Sequence, residues 1–121
     1  MTETWKHACP LAKLTDGEPH GVKLDEQNVA LYKVDDEVFA TDNVCSHAFA
    51  LLSDGFLDGH VIECPLHGGM FNVQSGRCEA GGYNDIRTFQ VDLRDGEVYV
   101  NLDAERSQVI PDGGGIRSED I

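Results

Sequence analysis

Two short stretches decide how this chain is read: Cys45-Ser46-His47 and Cys64-Pro65-Leu66-His67. Each joins one thiol to one imidazole, and sixteen residues separate His47 from Cys64. A thiolate suits zinc or an iron–sulfur cluster, and an imidazole suits zinc, iron or copper. A tetrahedral zinc ion would take all four side chains together. A two-iron cluster would sort them, with the thiolates on one iron and the imidazoles on the other. Zinc fingers usually present paired cysteines and paired histidines, whereas here the two kinds are interleaved. A catalytic mononuclear iron site calls for two histidines, a carboxylate and open positions, and His7, His20 and His60 have no spacing that suggests one. His60 follows the Asp58-Gly59 turn and reads as a solvated turn residue.

Outward from the pairs, the signals are those of strands and turns. Phe56-Leu57, Asp58-Gly59 and Val61-Ile62 read as a small hairpin. It fills the gap between the pairs and brings the two ligand loops side by side. The segment from Asn43 to Tyr83 holds seven glycines and reads as an insertion in a larger β framework built by the two ends of the chain. Trp5 to Cys9 reads as a first strand, and Leu11 to His20 as a loop or one short helical turn. Gln27 to Val34 has the β-branched and aromatic content of a strand, and Asp35-Asp36 turns it back into Glu37 to Thr41. Phe89, Val91 and Leu93 alternate with polar residues, as do Val98, Val100 and Leu102, across an Asp95-Gly96 hairpin signal. Period-two alternation on both arms predicts a half-buried antiparallel pair. Cys9 and Cys78 lack a neighbouring histidine and read as packed or partly exposed thiols.

The 121 residues suffice for one domain with a real core. Nine Lys and Arg stand against 22 Asp and Glu, a net charge of −13. That field repels nucleic acid and anionic membrane and attracts basic protein surfaces. The opening residues Met1 to His7 are polar with no apolar core of a signal peptide. No stretch approaches the roughly 20 apolar residues of a membrane span. A cytoplasmic protein is expected, where thiols stay reduced and metal binding outranks disulfides.

A CxH followed by a CxxH resembles the Rieske family of [2Fe–2S] proteins, over about residues 4 to 103 and most strongly from Cys45 to Phe71. The resemblance implies an all-β fold, an antiparallel β sandwich with an inserted cluster-binding subdomain at about 43–78. Residues 1–104 would form one domain, and 105–121, broken by Pro111 and Gly113 to Gly115, a loosely held tail. It also implies that Cys45 and Cys64 hold the inner iron of one [2Fe–2S] cluster, and His47 and His67 the outer one. High-potential members carry a further cysteine in each loop, joined as a disulfide, and a serine and a tyrosine that donate to cluster sulfur. Here Ala50, Leu66, Gly69 and Phe71 stand at those places. Fewer donors disfavour the added electron, so a potential of about −150 mV is expected, near the low end of the Rieske range.

Small size and a lone cluster resemble the Rieske ferredoxins of bacterial aromatic-ring-hydroxylating oxygenase systems. That implies a one-electron carrier rather than an enzyme. It would pass electrons from an NAD(P)H-dependent flavoprotein reductase to a terminal oxygenase. The competing readings are an accessory Rieske subunit of a reductase such as nitrite reductase, and a structural zinc protein. A carrier would be monomeric and dock through a small patch around the histidines: His47, Ala48, Phe49, Pro65, Leu66 and His67.

Overall fold

The apolar run Val29 to Tyr32 is buried on both of its faces, and the rest of the fold is arranged around it. The computed structural model describes residues 5–45, 50–66 and 68–103. Ten strands lie among them. They are β1 (Trp5–Pro10), β2 (Pro19–Leu24), β3 (Gln27–Val34), β4 (Glu37–Asp42), β5 (Phe56–Asp58), β6 (Val61–Glu63), β7 (Met70–Asn72), β8 (Cys78–Ala80), β9 (Thr88–Arg94) and β10 (Glu97–Asn101). The larger sheet has six strands in the order β1-β10-β9-β4-β3-β2, and the smaller has four in the order β5-β6-β7-β8. Every strand pairing within them is antiparallel.

The larger sheet folds over on itself at a corner where β4 meets β9 through only two residue pairs, Ala40–Phe89 and Thr41–Thr88. Between its leaves lies one core, in which Val29, Leu31, Val38 and Ala40 from β3 and β4 meet Phe89, Val98, Val100 and Cys9. The alternate residues Ala30, Tyr32, Val34 and Phe39 face the other way. They form a second core with Ile62, Phe71 and Val73, residues on or beside the small sheet. Period two thus divides β3 between two cores. Each large apolar side chain fully buried this way contributes about 1.5–3 kcal/mol.

The hairpin turns follow from their residues. Asp35 and Asp36 both have positive φ, 51° and 69°, as do Asp95 and Gly96 at 52° and 78°. Two successive left-handed residues match the twist of an antiparallel pair, and aspartate tolerates that region better than most side chains.

In its strands the structure departs from the sequence expectations at three places. Leu11–Lys13 is a short 3-10 turn, but Pro19 and His20 begin a strand rather than ending a loop. Proline is acceptable there because it is the first residue of an edge strand. The glycine-rich middle contains β7 and β8 as well as the expected hairpin. Leu93, placed inward by alternation, is 43% exposed. Pairing between β4 and β9 stops at Ala40–Phe89, and past it a shallow groove opens, lined by Val38, Phe39, Val91 and Leu93.

Candidate metal centre

The two candidate ligand loops close in the same way. The Cys45 N–H donates to the Ala50 carbonyl at 2.9 Å, and the Cys64 N–H donates to the Gly69 carbonyl at 2.7 Å. In each case the cysteine N–H is bonded to the carbonyl five residues on. The first loop stands on a stem where Val44 bridges Leu51 and the Leu52 N–H donates to the Asn43 carbonyl at 2.7 Å. The second stands on the β6–β7 pairing, which ends at Glu63–Met70. The Gly68 N–H donates back to the Cys64 carbonyl at 3.2 Å, and Gly68 has φ 74°, a conformation that costs glycine little.

Asn43 locks the first stem. It is 3% exposed. Its Nδ2 donates to Ser53 Oγ at 2.9 Å, and its Oδ1 accepts the Ser53 N–H at 2.7 Å. Its own N–H donates to the Asn28 carbonyl of β3 at 2.9 Å. Sequence reasoning missed Asn43, because a lone asparagine before a cysteine carries no signal of its partner ten residues away.

The two thiols are 3% and 1% exposed and belong to the same buried cluster, with Tyr32, Phe39, Leu52, Ile62 and Phe71. None of the four cysteines forms a disulfide. Two buried thiols delivered by two separate loops into one apolar pocket fit the thiolate half of an iron–sulfur ligand set. His47 and His67, with Ala48 and Phe49 of the expected docking patch, lie outside the described residues, as does the tail 105–121. Pro65 is exposed, and Leu66 is 52% exposed. Among the described residues no group of three or more His, Cys, Asp or Glu is gathered elsewhere for a metal.

The remaining candidates separate cleanly. Cys9 is buried in the core of the larger sheet. Burial pushes its thiol pKa up, with Glu97 adding and Lys13 opposing. Cys78 is partly buried on β8 across from Phe71, and its Sγ donates to the Ala80 carbonyl at 3.2 Å. His7 lies 2.6 Å from Glu97 through Nε2 and edge-on to Tyr99. His60 corrects the expectation of a solvated turn residue. Its ring meets Phe39 edge-on at 5.5 Å, and its carbonyl accepts the Val73 N–H at 2.8 Å. The turn therefore ties the small sheet to β4. Burial also keeps the Tyr32 phenol neutral, with its hydroxyl 2.9 Å from Thr41 Oγ1.

Comparison with known proteins agrees with this geometry. Residues 4–90 match the family model described as the Rieske [2Fe-2S] domain. The ferredoxin component of the naphthalene 1,2-dioxygenase system of Pseudomonas aeruginosa is 42% identical over 103 residues, 84% of this chain and 99% of that protein. The Sphingomonas yanoikuyae B1 ferredoxin structure superposes with TM-score 0.77 at 40% identity, covering 83% of this chain and 98% of that one. A ferredoxin matched in a complex of reduced oxygenase and oxidized ferredoxin in carbazole 1,9a-dioxygenase gives TM-score 0.76 at 37% identity, covering 83% and 94%. The antiparallel all-β fold is shared with the matched ferredoxin structures, and the chain belongs to the Rieske [2Fe-2S] domain family.

Proposed function

We propose that this protein is the ferredoxin of an aromatic-ring dioxygenase system, carrying single electrons from a flavoprotein reductase to a terminal oxygenase. The observation that carries the reading is the pair of buried thiols, Cys45 and Cys64, each at the base of a loop closed by the same backbone bond. The relatives at 37–42% identity are ferredoxins, which favours a carrier over an accessory subunit of a reductase. The bound [2Fe–2S] cluster supplies one reversibly held electron.

The residues provide the rest. Cys45 and Cys64 would bind through their thiolates, and His47 and His67, two and three positions further along their loops, through ring nitrogens. The apolar floor of Phe39, Ile62 and Phe71 keeps water from the thiolate side. Pro65 and Leu66 lie exposed beside His67. With His47, Ala48 and Phe49 they would form a contact patch through which a monomeric carrier docks transiently. The −13 charge steers it toward a basic partner face. No helix among the described residues is long and apolar enough to cross a membrane, and the reading places the carrier in the cytoplasm with its reductase.

Optical and electron-spin-resonance spectra of the purified protein test the cofactor, and His67→Cys tests the ligand set. The variant should lower the potential or lose the cluster; an unchanged spectrum refutes His67 as a ligand. The carrier role requires that the protein co-purify with no enzyme and restore NAD(P)H-driven turnover when added to a reductase and an oxygenase. Tight co-purification with a reductase would instead mark an accessory subunit.

A further inference from the structure

The second ligand loop has a support that neither its motif nor its backbone bonds account for. Strand β8 ends at Ala80, and Gly81 and Gly82 follow with φ of 106° and 73°. These left-handed residues turn the chain back so that Tyr83 lands on Gly69. A Cβ added to Gly69 would meet Tyr83 Cδ2 and Cε2 at 2.7 Å. One added to Gly81 would meet Cε2 at 2.5 Å and Cδ2 at 2.8 Å, with the Gly69 Cα at 3.3 Å. One edge of the ring is therefore wedged against two bare backbones. Gly69 supplies the carbonyl that accepts the Cys64 N–H, so the ring presses on the residue that closes the cysteine's loop. Tyr83 is itself partly buried and packs on the core that contains Cys45 and Cys64.

We propose that Tyr83 is a positioning residue for the second ligand loop, its ring filling the space over Gly69 and holding the Cys64–Gly69 closure in one conformation. The inference rests on the reading that Cys64 and His67 are ligands. It assigns Gly69 a purpose distinct from turn geometry: the position must stay bare because the ring occupies the volume of a side chain. The ring is the active part, since a stiff aromatic surface needs few torsions fixed to brace a loop.

A mutant cycle in the cluster-loaded protein tests this. Tyr83→Ala should hasten loss of the cluster's visible absorbance under a chelator by about tenfold or more, as expected when a packed ring is removed, and should speed hydrogen exchange of the Cys64 amide. Tyr83→Phe, which keeps the ring, should stay closer to the parent protein than to Tyr83→Ala in both. Gly69→Ala should also hasten loss alone, yet add little in the Tyr83→Ala background, because the clash needs the ring; residues in contact show this non-additivity. Additive effects, a Phe variant that behaves like the Ala variant, or exchange and retention within about twofold of the parent in Tyr83→Ala would overturn the proposal. If Tyr83→Ala does not fold, Gly69→Ala alone decides, since undiminished retention there means that the ring yields and does not position. Cys64 amide exchange reads the brace whichever metal is bound. A failed ligand assignment, seen in the His67→Cys spectrum, is thereby distinguished from a failed brace.

Discussion

Asn43→Ala is the substitution that separates stem rigidity from ligand chemistry, because it lies two residues before Cys45 without being a ligand. The asparagine makes two side-chain bonds to Ser53, at 2.9 and 2.7 Å, in a site where it is 3% exposed. A buried hydrogen bond is worth about 1 kcal/mol net, and an N–H left without a partner costs about 1–3 kcal/mol. Alanine removes both bonds and strands the Ser53 N–H, a total of about 2–4 kcal/mol. If the stem must open before the cluster can leave, cluster release should quicken by roughly 30- to 900-fold, at 1.36 kcal/mol per decade. The assay is the decay of visible absorbance under a chelator at fixed temperature and pH. Ser53→Ala is the control: it keeps the Ser53 N–H bond to Asn43 Oδ1 and removes only the Nδ2 contact, so it should quicken release less than Asn43→Ala does. Equal rates for the two variants, or less than about a threefold effect of Asn43→Ala, would refute the view that this pair locks the first ligand loop.

Other expectations follow from the same structure. Protein-film voltammetry should give a potential of about −150 mV; a value above zero would defeat the argument that Gly69 and Phe71 withhold side-chain donors from the cluster. Iodoacetamide should modify Cys78 well before Cys9, whose thiol is buried and shifted upward, and the reverse order would contradict the placement of Cys9 in the core. The same shift has a sign for stability. Unfolded Cys9 ionises near its ordinary value of 9.0 while the folded thiol stays protonated, so its contribution is intact below about pH 9 and declines above it. Cys9→Ala should lessen the alkaline loss of stability measured by urea unfolding of the cluster-free chain. Reduction by the flavoprotein should slow as ionic strength rises, since screening shortens the reach of the −13 charge. A rate insensitive to salt would leave that charge to solubility alone.

How far these features could be read from residues depends on the range of the interaction. The meeting of Cys45 and Cys64 in one buried cluster was legible because each sits in a short Cys-His motif of the kind a metal site demands. Strands β3, β4, β9 and β10 were legible because alternation and aspartate turns are local. Strand β2 was not, since Pro19 and Gly21 argue against a strand unless its edge position is known. Strands β7 and β8 have three residues each and exist through pairing, with little propensity of their own. The exposure of Leu93 depends on where β4 stops pairing with β9, and the His60 contact on where Phe39 points. Tyr83 and Gly69 are fourteen residues apart and meet only because two glycines reverse the chain between them.

The division of β3 between two cores bears on protein engineering. Its residues Ala30, Tyr32 and Val34, with Phe39 of β4, are the floor on which the thiol loops rest, while Val29 and Leu31 belong to the opposite interior. The ligand segment is therefore not a transplantable module, even though its motif is short and contiguous. Grafted alone onto a new scaffold, it would arrive without its floor. A working transplant has to carry the β3–β4 hairpin with it, and the host must then cover that hairpin's second apolar face.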